Sequence, residues 1–358
     1  MIDFRPLLFV TGLLLAALAA MMLIPATVDW ATGDSNWQEF LGAAFLTGFV
    51  GVGLSLSNRV TFVEVGVRQM FVLTAMIWLV IATFGALPLY FSDLGLTYTD
   101  AFFEAMSGIT TTGSTVISGL DSAPIGVLLW RALLQWMGGI GIIVMAIAVL
   151  PALQVGGMQL FRMESSESSE KAFPRVAQLA LGITSIYVAL TAVCAASLWV
   201  AGMTGFDSIA HSMTTIATGG FSTSDQSIGH FDSSSIDWII VVFMILGSLP
   251  FVLYLEAVRG RAKALWQDSQ VHWFFAIIII CAIAIALWQM LANDVTPYES
   301  IRRSTFNVIS IITGTGFSTA NYYLWGSFAV TCFFLFMFIG GCAGSTSCGI
   351  KIFRFQVL

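Results

Sequence analysis

Three short stretches of this sequence repeat one chemical pattern: Ser107-Gly-Ile-Thr-Thr-Thr-Gly-Ser-Thr115, Thr214-Thr-Ile-Ala-Thr-Gly-Gly-Phe-Ser222 and Ser310-Ile-Ile-Thr-Gly-Thr-Gly-Phe-Ser318. They align without gaps. Ile109, Ile216 and Ile312 share one column, and Gly113, Gly220 and Gly316 another. Their useful atoms are backbone oxygens. Glycine reaches the positive-φ conformations that let successive carbonyls point the same way. Threonine adds a hydroxyl on a stiff, β-branched side chain. Carbonyls on such a loop can replace the water around a small cation without supplying formal charge. The chemistry these residues could do is therefore coordination of a dehydrated monovalent cation. One Thr/Gly cluster alone would read as an ordinary turn. Three aligned clusters, each following a short helix in a membrane setting, do not.

The elements that must position these loops follow from composition. Of 358 residues, 58% are hydrophobic and 9% charged, against about 25% charged in a soluble domain. With a mean hydropathy of +0.90, the chain reads as an all-α, polytopic membrane protein. Runs of spanning length fall at 7–25, 40–57, 70–91, 125–150, 176–202, 236–258, 272–292 and 325–348. Leu7–Leu23 is long for a signal-peptide core and reads as an uncleaved first span. Between the runs lie 99–112, 205–218 and 298–314, too short to cross and ending in Thr and Gly. They read as re-entrant pore helices, because irregular backbone at membrane depth is tolerated only when it is buried in protein or lines a watery cavity. The C-terminal end of each would aim partial negative charge at the loop. The repeating unit is outer helix, pore helix, Thr/Gly loop, inner helix, recurring about every 100 residues.

Lys and Arg set the orientation. Arg5, Arg59, Arg68, Arg162, Lys171, Arg175, Arg259, Arg261, Lys263, Lys351 and Arg354 all fall on one side if each short segment enters and leaves by the same face. Were 99–112 a full span, the basic loop 162–175 would change sides. The opposite loops carry Asp29, Asp34, Glu39, Asp121, Asp225, Asp232 and Asp294. The net charge of −6 is modest and says little about partners; no basic block points to nucleic acid, and membrane lipid is the expected surroundings.

Together, Gly108–Val116 (GITTTGSTV), Thr215–Thr223 (TIATGGFST), Phe306–Thr319 (FNVISIITGTGFST) and Gly340–Arg354 (GGCAGSTSCGIKIFR) resemble the TrkH-type members of the Trk/Ktr/HKT potassium transporter superfamily, over essentially the whole chain. The resemblance implies a potassium-channel-like pore of four repeats after two extra helices. On this chain it gives residues 1–69 to the extra helices and 70–160, 161–265 and 266–358 to three pore repeats, with the fourth absent. A C-terminally incomplete sequence is the expectation. The implied function is potassium uptake across the bacterial cytoplasmic (inner) membrane, with K⁺ as cargo and no cofactor. The implied filter residues are Thr110, Thr111, Thr112 and Gly113, then Ala217, Thr218, Gly219 and Gly220, then Thr313, Gly314, Thr315 and Gly316. An intramembrane gate loop is implied at Gly340, Gly341, Gly344, Ser345, Thr346 and Gly349, where small residues interrupt an inner helix. The family also implies a homodimer and a cytosolic nucleotide-binding regulatory subunit, although no G-x-G-x-x-G follows a strand here.

Rival readings find less support. Ser345 and Ser347 in a Gly-rich stretch raise an intramembrane serine protease, but the G-x-S-x-G elbow and a His–Asp pair are missing, so an enzyme is not expected. An H⁺- or Na⁺-coupled symporter, or a less selective K⁺/Na⁺ pathway, is the alternative. Proton coupling usually uses intramembrane Asp, Glu or His, and few lie mid-span here. Arg131, Arg302, Arg303 and Glu104 are expected to be paired, Arg302 and Arg303 with Glu299 or Asp294. Gly138, Gly139 and Gly141 are expected to allow close helix approach. His211, His230 and His272 are too dispersed for a metal site. Cys194, Cys281, Cys332, Cys342 and Cys348 read as packing residues. Glu164–Lys171 reads as a connecting cytoplasmic loop.

Overall fold

The computed structural model describes residues 4–59, 67–148 and 172–358. Most of the basic segment 162–175, with the polar stretch Glu164–Lys171, lies outside them. Among the described residues the secondary structure is helical, apart from one isolated bridge between Ile339 and Ile350. Six described helices are long and apolar enough to cross a membrane. The chain forms two compact units, one of residues 1–110 and 114–135, the other of residues 111–113 and 136–358.

In the first unit, α1 (Arg5–Thr32) and α2 (Trp37–Ser57) form a closely packed hairpin. Gly12 and Gly51 make it close: a Cβ on Gly12 would lie 2.7 Å from the Gly51 carbonyl, and one on Gly51 would lie 2.9 Å from the Gly12 carbonyl. Small residues at such a crossing exchange side-chain volume for backbone contact. The outer helix α3 (Val67–Gly85) leads through α4 (Leu87–Phe91) to the first short helix, α5 (Tyr98–Ile109). The inner helix α6 (Ile125–Ala148), of which residues 125–135 belong to this unit, follows the loop. Its first turn is capped from α1, where an Asp29 carboxylate oxygen accepts from the Gly126 amide at 2.6 Å. An acceptor there satisfies an amide the helix cannot pair itself. Trp130 donates from its indole to the Gly85 carbonyl, tying α6 to the outer helix.

The second unit repeats the plan twice. Outer helix α7 (Ala172–Val200) precedes short helix α8 (Gly205–Ile216), and outer helix α12 (Ser269–Ala292) precedes α13 (Pro297–Ile312). The short helices α5 and α8 are 12 residues each and begin the same way. Thr97 and Thr204 cap them by accepting the amides of Asp100 and Asp207, and each hydroxyl donates back to that carboxylate at 2.6 Å. This reciprocal cap fixes where a pore helix starts. The third, α13, is 16 residues long and starts on Pro297, a residue suited to a first turn.

Two of the expected spans differ from a simple helix. The run 236–258 is two helices, α9 (Ser234–Ser248) and α10 (Phe251–Val258), bent by 92° at Leu249–Pro250 and followed by the short α11 (Lys263–Gln267). Proline has no amide to continue the ladder and clashes with the preceding turn. The run 325–348 contains only α14 (Ser327–Phe336) as helix. Beyond it the chain runs as a compact irregular loop until α15 (Ile352–Val357).

Candidate functional site

Each short helix ends in the same backbone figure. Thr110, Ala217 and Thr313 are the C-cap residues of α5, α8 and α13. The next column, Thr111, Thr218 and Gly314, lies in the left-handed region at φ 55°, 50° and 73°. Two residues on, Gly113, Gly220 and Gly316 return there at φ 81°, 80° and 84°. Left-handed backbone disfavours a Cβ by about 1–2 kcal/mol, so Thr111 and Thr218 hold this conformation against their own preference. Both are fully buried. Strain that persists in two buried, aligned loops is over-determined by its surroundings and points to function.

The loops also meet. Residues 111–113, 217–220 and 313–316 all belong to the second unit. A Cβ on Gly113 would overlap the Gly219 carbonyl oxygen and lie 3.5 Å from that of Thr315. A Cβ on Gly220 would overlap the Thr315 carbonyl oxygen. The glycine column of one repeat is therefore packed directly against main-chain oxygen of another. Thr313 and Thr315 bring their hydroxyls to 2.7 Å of each other.

The loop after α14 docks against these Thr/Gly segments, and the break in the second inner helix explains how. With Pro250 interrupting the ladder, the carbonyls of Gly247 and Ser248 need new donors inside the membrane. The Thr346 amide reaches Gly247 at 3.2 Å and the Cys342 amide reaches Ser248 at 3.0 Å. In return, the Phe251 amide that opens α10 donates to the Gly344 carbonyl at 3.0 Å. The Thr346 hydroxyl lies 2.9 Å from both the Ile216 and Gly247 carbonyls and 3.2 Å from the Thr218 hydroxyl. It thus touches the end of α8 and the Thr/Gly segment beyond it. Cys348 brings its sulfur to 3.7 Å from the Gly314 carbonyl.

Inside the loop, Gly340 and Gly349 lie back to back: a Cβ on Gly340 would overlap the Cys348 carbonyl oxygen, and Gly349 sits at φ 75°. Gly341 donates its amide to the Ser347 hydroxyl at 2.8 Å, and Ser345 donates to the Cys342 carbonyl at 2.6 Å. Gly344 turns the chain at φ 75°. The Lys351 ammonium donates to the Ser347 carbonyl. All six expected loop residues therefore take part in one folded plug. The break at Pro250 that receives it was legible only as a proline in a long apolar run.

The set-aside residues have partners too. Glu104 and Arg131 form a buried ion pair at 2.7 Å. Arg303 pairs with Glu299, as expected. Arg302 pairs with Asp237 at 2.7 Å and Asp232 at 3.6 Å rather than with Asp294, because α13 runs beside the first turn of α9. Gly139 faces the Tyr187 hydroxyl and Ala217, so close approach is its role. The five cysteines are free, and no cluster of metal-ligating side chains occurs among the described residues.

Repeated helix–pore loop–helix units with converging loop backbones define a pore-loop membrane transport protein. The chain belongs to the TrkH cation transport protein family, whose model matches residues 37–358. It is 41% identical to the Trk system potassium uptake protein TrkI of Halomonas elongata, over 98% of this chain and 72% of that protein. It is 40% identical to the Trk system potassium uptake protein TrkH of Escherichia coli, over 99% of this chain and 75% of that protein. The crystal structure of the potassium transporter TrkH from Vibrio parahaemolyticus superposes with a TM-score of 0.92 at 37% identity, covering 99% of this chain and 74% of that one.

Proposed function

We propose that this chain takes up potassium through a selectivity-filter pore gated by its intramembrane loop. The observation that carries the reading is the contact of filter glycines in one repeat with filter carbonyls of another. Thr111, Thr112, Gly113, Thr218, Gly219, Gly220, Gly314, Thr315 and Gly316 offer oxygen to the ion. Thr110, Ala217 and Thr313 end the pore helices and open the same three segments, completing the filter positions. Residues 340–349 are the gate, joined to the filter through Thr346 and Cys348. The relatives named above are potassium uptake proteins, which supports K⁺ as cargo. No cofactor or enzymatic step enters this function.

Uncoupled conduction fits the charged groups better than symport. Glu104 and Asp237 are held by arginines, so these carboxylates are engaged rather than poised as a relay. The protein works in the bacterial cytoplasmic membrane as a homodimer with a cytosolic nucleotide-binding subunit; the words "Trk system" in the relatives' names support a multicomponent assembly. The test is rescue of a bacterium lacking potassium uptake, with rubidium flux into vesicles under imposed H⁺ or Na⁺ gradients. Flux that follows the cation's own gradient alone is expected. Flux that requires either imposed gradient would overturn uncoupled conduction.

A further inference from the structure

The three pore helices carry one further aligned column, three residues before the Ser/Thr that opens each Thr/Gly window: Glu104, His211 and Asn307. The residue types share no obvious property, yet all three are completely buried. Each reaches the strand that leaves the filter of its own repeat. In the first repeat, one Glu104 carboxylate oxygen accepts from the Thr115 hydroxyl at 2.9 Å, and the other from the Val116 amide at 3.0 Å. In the second, His211 Nδ1 faces the Asp207 carbonyl at 2.9 Å and so carries the proton. Its Nε2 then accepts from the Ser222 hydroxyl at 2.9 Å. In the third, Asn307 donates its amide to the Thr319 hydroxyl at 3.0 Å and accepts from the Thr319 amide at 3.4 Å. The receiving positions also align: Thr115 with Ser222, and Val116 with Thr319.

Resting on the reading of the Thr/Gly loops as the filter, we propose that Glu104, His211 and Asn307 are its positioning residues, one per repeat. Each filter segment is held at two points. Its start is the C-cap of a pore helix; its far end is this side chain. Every carbonyl in question lies between the two, so the second clamp sets how far the strand is drawn back and where its oxygens point. A carboxylate, an imidazole and a carboxamide accomplish the same task because the task is hydrogen bonding at a fixed place, not charge. The clamps differ in strength accordingly. Glu104 makes charge-assisted bonds and is itself braced by Arg131; His211 grips a single hydroxyl.

His211 gives the cleanest test, since its bond can be removed from either side. His211→Ala and Ser222→Ala should each lower the K⁺/Na⁺ permeability ratio of the protein in vesicles by about tenfold, a change of ~1.4 kcal/mol. The double variant should be no worse than the more severe single, as for partners in one interaction. His211→Gln restores an acceptor near the Nε2 position and should recover most of the ratio. Ser222→Ala leaves the buried ring in place, so the test survives if His211→Ala fails to fold. Gly220→Ala is run alongside. If it alters selectivity while Ser222→Ala and His211→Ala leave the ratio unchanged, the positioning role is wrong and the filter reading stands. If all three leave it unchanged, the filter reading itself falls. A purely structural role would reduce protein abundance without changing the ratio.

Discussion

Replacing Gly220 with alanine asks how rigidly the filter is built. Gly220 sits at φ 80°, where a Cβ costs about 1–2 kcal/mol from the backbone alone. The added methyl would also overlap the carbonyl oxygen of Thr315. An alanine has no rotamer to turn away, and the obstructing atom is main chain. Either residue 220 leaves the left-handed region, swinging its peptide, or the Thr315 strand retreats by roughly 2 Å to reach an ordinary contact of ~3.5–4 Å. Both outcomes move carbonyls that we assign to the ion. A 1–2 kcal/mol change in one cation's binding relative to another corresponds to a factor of about 5–30, and the K⁺/Na⁺ ratio should fall by that factor. Reversal potentials in reconstituted vesicles measure it. Gly33→Ala is the control: its φ is also 80°, yet a Cβ there meets nothing within 4 Å. It should cost similar backbone energy and leave selectivity alone. A Gly220→Ala protein of normal abundance and unchanged ratio would refute the argument from converging carbonyls.

Other perturbations test the supports. Thr346→Val removes the hydroxyl from the Ile216 and Gly247 carbonyls, at a cost of about 1–3 kcal/mol for buried groups left unsatisfied; resting rubidium flux should rise, and Thr346→Ser should restore the wild-type level. Arg302→Met leaves Asp237 buried beside α13 without its partner, and loss of such a pair costs about 3–5 kcal/mol; thermal unfolding in detergent should shift down sharply, with partial recovery on adding Asp237→Asn. Asp29→Ala uncaps α6 at Gly126 and should cost about 0.5–2 kcal/mol in the same assay, whereas Asp29→Asn, which keeps an acceptor, should cost less.

Much of this protein was legible before any coordinate. Membrane residence follows from composition, because nothing else dissolves so apolar a chain. The pore loops follow from short-range pattern: a helix too short to cross, then glycines in register at 113, 220 and 316. Backbone conformation at a glycine is a local property, so repeated spacing reports it directly, and the left-handed φ at all three bears that out. Other features were hidden because they depend on partners distant in sequence. The apolar run 236–258 has the length and hydropathy of a straight span, with Pro250 the one residue that argues against it. It breaks by 92° at Pro250 because the loop at 340–350 supplies donors and acceptors to the freed backbone of Gly247, Ser248 and Phe251. The run 325–348 failed as a span for the complementary reason: its small polar residues fold onto that break. Thr346 lies 130 residues from Ile216, and no local pattern marks the bond between them. Glu104 and His211 carried other readings in the sequence and Asn307 none, because the three share a position and a task but no chemistry. Spacing along the chain determined where main-chain oxygen could be gathered; only the tertiary structure decided which side chains hold it there, since a hydrogen bond needs geometry and accepts many residue types.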